Sequence, residues 1–304
     1  MPNWDKILEL VQLQNSYDTL RKQYIKKIEK HTHRNVIVYY SGWLQKTDIA
    51  GDFAISDNDK NGFMICMYKD ENLSDKGLDL ILHTPGGDVG ATESLIDYLR
   101  SIYGTNIRTI IPQIAMSGGT LMAISAKEIV MGSHSSLGPV DPNFGGMPAQ
   151  SYLEEFNKAC LDIQKNPQNV SVWQVILNKI NPGFLTLCQH AVEWSADILA
   201  ASLKFNMLSC YQSDDDFNKA FEPIKKLFVD QTQTKNHARH INRDRAKLAG
   251  LNISNLEDDK KLEDLILALH YLLCITFQQT DTAKIICSGA SNGMAYITHA
   301  KPIK

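Results

Sequence analysis

The chain has 304 residues, 43% of them hydrophobic and 21% charged, a globular composition with apolar side chains enough for one large core or two modest ones. A net charge of -3 excludes an overall basic field of the kind that draws nucleic acid or anionic lipid. Six cysteines scattered without a C-x-x-C pair, and an N-terminus that is acidic where a leader would be basic and then apolar, point away from a zinc framework and from a secretory signal.

In chain order, residues 3–31 carry apolar side chains at roughly helical spacing (Trp4, Ile7, Leu8, Val11, Tyr17, Leu20, Tyr24, Ile25, Ile28), which predicts one amphipathic N-terminal helix. "RNVIVYYSGWL" (34–44) is β-branched and aromatic and predicts a strand. "DLILHT" (79–84) predicts a second, whose continuous apolar run suits a sheet covered on both faces. "PGGD" ends it and "VGATESLIDYLRSI" (89–102) reads as a helix. The pattern then repeats: strand 107–115, a short helix in "SGGTLMAISA", and strand 128–132. Such alternation implies a parallel sheet with right-handed crossovers. Residues from about 148 to 230 read as a helical insertion, in which Asp214, Asp215 and Asp216 favour the positive end of a helix over a metal site. The apolar run 265–277 is too short for a membrane span of ~20 residues and predicts a buried helix; "AKIICSG" and "MAYIT" predict a closing hairpin.

Two turns could carry chemistry. "HTPGGDVGA" (83–91) and "AMSGGT" (115–120) each stand where a parallel strand gives way to a helix, which is where open α/β sheets place their sites. Paired glycines let backbone N–H groups face an oxyanion unobstructed, and helix N-termini add partial positive charge. Ser117, at the first turn of the second helix, is thereby a candidate nucleophile, with Gly87 and Gly118 as candidate amide donors. Taken singly, each turn also reads as ordinary capping.

"TPGG", "AMSGGT" and "SSLGPVDPNFGG" (135–146) together resemble the Clp-protease/crotonase superfamily, and most its serine dehydrogenase proteinase branch, which is related to the signal peptide peptidase A group. The resemblance runs over about residues 36–146, with an echo at 236–251. It implies an α/β fold of repeated β-β-α units wound as a superhelix with additional helices, divided here as an N-terminal helix (1–32) and a serine peptidase domain (33–304). It also implies a serine endopeptidase acting on peptides or unfolded protein, without metal or cofactor, as a homo-oligomer of trimers or hexamers, with neither nucleic acid nor membrane as partner. Free, mostly buried thiols and the missing leader add a cytoplasmic setting.

For the general base the resemblance leaves alternatives. Clp proteases carry a histidine where this chain reads "GPVDP". The serine dehydrogenase proteinase branch uses the order Ser, Asp, His, which Asp141 and His237 match. The peptidase A relatives use a lysine, for which Lys158 and Lys165 lie in the right window if burial lowers the pKa. By its surroundings alone, Asp141 also reads as a turn former before Pro142, and His237 as a solvated loop histidine. His83 would steady the PGG turn, His134 would face solvent, and His190 and His270, on apolar helices, would be core histidines. Two further functions stay open: a crotonase-like acyl-CoA enzyme, and a non-catalytic oligomeric scaffold of the same fold.

Overall fold

A computed structural model describes residues 3–14, 16–47, 51–67, 73–230, 238–291 and 294–297. Its centre is a seven-stranded sheet in the order β10-β5-β3-β2-β1-β11-β12. Strands β1 (Asn35–Ser41), β2 (Leu78–His83), β3 (Ile107–Ile111), β5 (Glu128–Met131) and β10 (Ile253–Asn255) run parallel, and β11 (Thr282–Ser288) and β12 (Met294–Ile297) close one edge antiparallel. A second sheet joins β4 (Ile114–Ala115), β6 (Ser136–Leu137) and β9 (Ile241–Asn242), and β7 (Asn143–Phe144) pairs with β8 (Met147–Pro148).

The single strand predicted over 107–115 is thus two. Pro112, which lacks an amide donor for a ladder, falls between them, and β4 leaves the large sheet to pair with β6. The same succession of long strand, short strand and helix recurs. β2 is continued by a bridge from Thr84 to Ala115 before helix α5 (Val89–Tyr103), and β3 and β4 precede α6 (Gly118–Ile124). β5 and β6 precede α7 (Ala149–Lys165). This is a mixed α/β fold about a mostly parallel sheet.

Both faces of the sheet are buried, as its side-chain alternation requires. On β1, Ile37 and Tyr39 enter one core with residues of α5, α6, α9 (Phe184–Phe205) and α10 (Asp214–Phe228). Val36, Val38 and Tyr40 enter the other, against helix α12 (Lys260–Gln279). The predicted N-terminal helix breaks in two, α1 (Trp4–Gln14) and α2 (Tyr17–Thr32), because Ser16 caps the second by accepting a bond from the Thr19 amide. Both halves pack on α12, with Ile7, Val11, Leu20, Ile25 and Ile28 buried. Among the described residues the other α-helices are α3 (Asp59–Met67), α4 (Leu73–Lys76), α8 (Val170–Leu177) and α11 (Arg243–Leu248). Ser213 caps α10, whose Asp214 pairs with Lys204 at 2.9 Å. The aspartate cluster is therefore a helix start, and no metal-binding group of three or more His, Cys, Asp or Glu occurs among the described residues. No described helix is long and apolar enough to cross a membrane.

Candidate active site

The two glycine turns meet. After β2 the chain runs beside the loop before α3: Ile55 N–H donates to Gly86 C=O (2.8 Å) and Asp88 N–H donates to Ile55 C=O (3.0 Å). With these groups turned to one side of the extended chain, the Gly87 N–H between them lies on the other. That other side holds the second turn. A Cβ built on Gly86 would lie 2.7 Å from Ser117 Cβ, and one on Gly118 would lie 3.5 Å from the Gly87 nitrogen. Gly86 also has φ +91°, which favours glycine. The next turn residues are tied as tightly. Met116 N–H donates to Thr84 C=O (3.0 Å), and Gly119 N–H, returning to Met116 C=O (2.8 Å), leaves Gly118 N–H outside the turn's own bonds.

Ser117 sits at the head of α6 with φ 50° and ψ -118°. This is a conformation that costs a non-glycine residue of order 1–3 kcal/mol and clusters at active sites. Its side chain caps nothing, so the capping role that its position suggests is not the one it plays. Ser117 instead lines a cavity of 810 Å³. Pro85, Gly86, Gly87, Asp88 and Val89 form one wall, Pro142, Asn143 and Phe144 a second, and Ala54 borders it. Asp88 caps α5 by accepting a bond from Ala91 N–H (2.8 Å), so its carboxylate is held at the cavity edge.

The third wall is α9, where Leu187, His190, Ala191 and Trp194 face the cavity. They recur at i, i+3, i+4 and i+7, one stripe of a helix. Further along α9, Ser195, Ile198, Leu199, Ser202 and Leu203, on an adjacent stripe, are buried and pack the helix onto the body. Phe184 at its start stacks edge-on with Phe144 and Tyr152, 5.5 and 4.9 Å between ring centroids, which joins the helical insertion to the wall beside Ser117. His190 is therefore no core histidine: it is exposed and lines the same cavity as Ser117. The sequence carries only the i, i+3, i+7 spacing of Leu187, His190 and Trp194; it is the structure that leaves Leu187 and Trp194 half-exposed beside it.

The other candidates are spread out. Asp141 is buried, next to the cavity residue Pro142. His237 lies outside the described residues. Lys158 is 69% exposed, 3.8 Å from Glu155 and over the Trp173 ring, and the burial that a lysine base requires is not met there; Lys165 ends the same exposed helix face. His240 shares a hydrogen bond with the Ser136 hydroxyl (3.0 Å). His134 is exposed.

His83 is fully buried. Its Nδ1 accepts a bond from Ile114 N–H at 3.4 Å, so it steadies β4 and not the PGG turn itself. Tyr40 and Trp43 pack on its ring at 4.4 Å. Burial, reinforced by neighbouring His270, keeps it neutral well below the ordinary histidine range. His270 hydrogen-bonds the Tyr40 hydroxyl, and burial, with His134 nearby, brings its pKa down to about 4.

Comparison with known proteins bears on this geometry. Residues 11–192, more than half of the chain, match the family described as ClpP-like SDH-type serine proteinase. The chain belongs to this family. It is 46% identical over 80 residues to the uncharacterised protein MJ0137 of Methanocaldococcus jannaschii, covering 26% of this chain and 28% of that one. It is 45% identical over 82 residues to the uncharacterised protein MJ1495 of the same organism, covering 27% and 28%. These alignments span little more than a quarter of either relative's length.

Proposed function

We propose that this member of the ClpP-like SDH-type serine proteinases hydrolyses peptide bonds with Ser117 as nucleophile. The observation that carries the reading is the convergence of the Gly87 and Gly118 amides on a strained serine that lines an apolar cavity. Ser117 Oγ attacks the carbonyl carbon of a bound peptide, and the two N–H groups hold the oxygen that becomes negative. The base takes the Ser117 proton and returns it to the leaving amine; water then hydrolyses the acyl-enzyme. Our first assignment of the base is His237, oriented by Asp141 in the Ser, Asp, His order of the family. A second, favoured by its place on the cavity wall, is His190.

The substrate is a peptide or unfolded protein segment, and the enzyme works as a homo-oligomer. Fluorophosphonate labelling tests the reading. The wild-type chain reacts and Ser117→Ala does not. A wild-type chain that stays unlabelled refutes the nucleophile and leaves the scaffold, or, with coenzyme A bound, the acyl-CoA enzyme.

A further inference from the structure

Lys284, on β11, has a fully buried side chain. A buried ammonium carries a large desolvation cost unless it is paired and hydrogen-bonded, and here both conditions are met by one loop. Its Nζ stands 2.6 Å from Asp59 Oδ1, whose side chain is equally buried, and donates to Ala54 C=O at 2.7 Å. The other oxygen of Asp59 accepts from the Tyr39 hydroxyl (2.8 Å) and from Ser56 N–H (3.0 Å). The rings of Tyr39 and Tyr296 lie 5.8 and 4.4 Å from the ammonium. Three adjacent strands of the large sheet, β1, β11 and β12, thus grip residues 54–59 from below.

The gripped segment has little regular structure of its own, yet its second residue is the one that holds the first glycine turn. Ile55 bonds Gly86 and Asp88 on either side of Gly87, and its side chain is buried. Moving Ala54 and Ile55 by an ångström would move the Gly87 amide with them.

We propose that the Asp59–Lys284 pair is a positioning device: it sets the Gly87 amide, through Ala54 and Ile55, at the spot where an oxyanion forms beside Ser117. The inference rests on the peptidase reading for its catalytic meaning. Lys284 itself touches no substrate. The two residues also lie far apart in the chain, Asp59 inside the span that matches the family and Lys284 beyond it. A buried ion pair gives weak support to stability, since apolar replacements often serve as well, but its directed bonds select one geometry. Selecting one geometry is what an amide donor needs, because it must lie within about 0.5 Å of its working position.

The test is the full chain carrying Asp59→Asn with Lys284→Met, which leaves no lone buried charge, and separately Tyr39→Phe, which removes a single bond to Asp59. Amide hydrogen exchange at Ile55 and Asp88 is expected to rise at least about tenfold in the double variant, with β2 and β3 still protected. Fluorophosphonate labelling of Ser117 is expected to slow at least about tenfold, and kcat on fluorescent casein to fall with KM kept within about twofold. Tyr39→Phe, which keeps the ion pair, is expected to move both readouts the same way by about threefold. Folded variants in which exchange and labelling stay at wild-type values overturn the proposal. The two readings separate: a wild-type chain that never labels defeats the peptidase, whereas exchange at Ile55 and Asp88 reports on the brace regardless.

Discussion

Replacing Gly87 with alanine perturbs the site most directly. A Cβ at this position would lie 2.3 Å from the Ile55 nitrogen, 2.4 Å from its oxygen and 2.8 Å from its Cα. All three are backbone atoms of the strap that bonds the turn on either side, so no side chain can swing away. Ordinary contact begins near 3.4 Å, and the turn and strap must therefore part by about 1 Å. An amide that starts 2.7–3.1 Å from an oxyanion is then out of hydrogen-bond range, and loss of one such donor costs roughly 3 kcal/mol, or 10²- to 10³-fold in kcat. The ground state makes less use of the donor, so KM should stay close to wild type. Overpacking of this kind also destabilises by about 1–3 kcal/mol. The assay is the rate of fluorophosphonate labelling and of fluorescent-casein hydrolysis, read beside the melting temperature. A folded Gly87→Ala chain that keeps its rate within about threefold refutes the donor role. Gly118→Ala offers a contrast, because its Cβ would meet the Thr92 hydroxyl at 2.5 Å. Adding Thr92→Ala to it should restore most of the rate, which no compensating side-chain truncation can do for Gly87.

The strained backbone at Ser117 makes the two inactive variants differ. Ser117→Gly should be the more stable of the pair by about 1 kcal/mol, since relief of the φ 50° conformation exceeds the entropy cost of glycine; equal melting temperatures would show that no strain is held there. For the base, His237→Ala is expected to lower kcat by roughly 10²- to 10⁴-fold, His190→Ala to act mainly on KM, and Lys158→Ala to leave both unchanged; pH profiles of the three variants decide the assignment. In acid, His270 gives a signed expectation. Its folded pKa of about 4 lies below the unfolded value near 6.5, so the unfolded chain binds more protons between them. Stability is then fully present above pH 6.5 and falls by up to about 3 kcal/mol as pH drops towards 4. Buried His83 adds a loss of the same sign. His270→Asn should flatten that slope in a series of melting curves, and an unchanged slope would place the proton elsewhere.

Much of this molecule follows from patterns only a few residues long. Apolar runs at 79–84, 107–115 and 128–132 announce strands, the glycine pairs after 85 and 117 announce turns, and the spacing of 89–102 announces a helix. Together these dictate a parallel sheet and put Ser117 at the end of a strand. They are legible because a turn or an amphipathic period is determined by neighbours in sequence. What each surface is buried against is not determined that way. The spacing of residues 3–31 persists through Ser16, so only the capped chain end shows two helices. His190 lies in an apolar helix whose earlier turns face a cavity, because it is mainly the later turns that are buried on the body. Lys284 reads in the chain as a charge inside a strand, and becomes a buried partner only when β11 is laid beside β1, bringing residues 59 and 284 together. The chain's own chemistry chose the strands, the turns and the serine. Tertiary packing brought the two glycine turns together and set His190 on the cavity wall, because those contacts depend on how distant segments exclude water together.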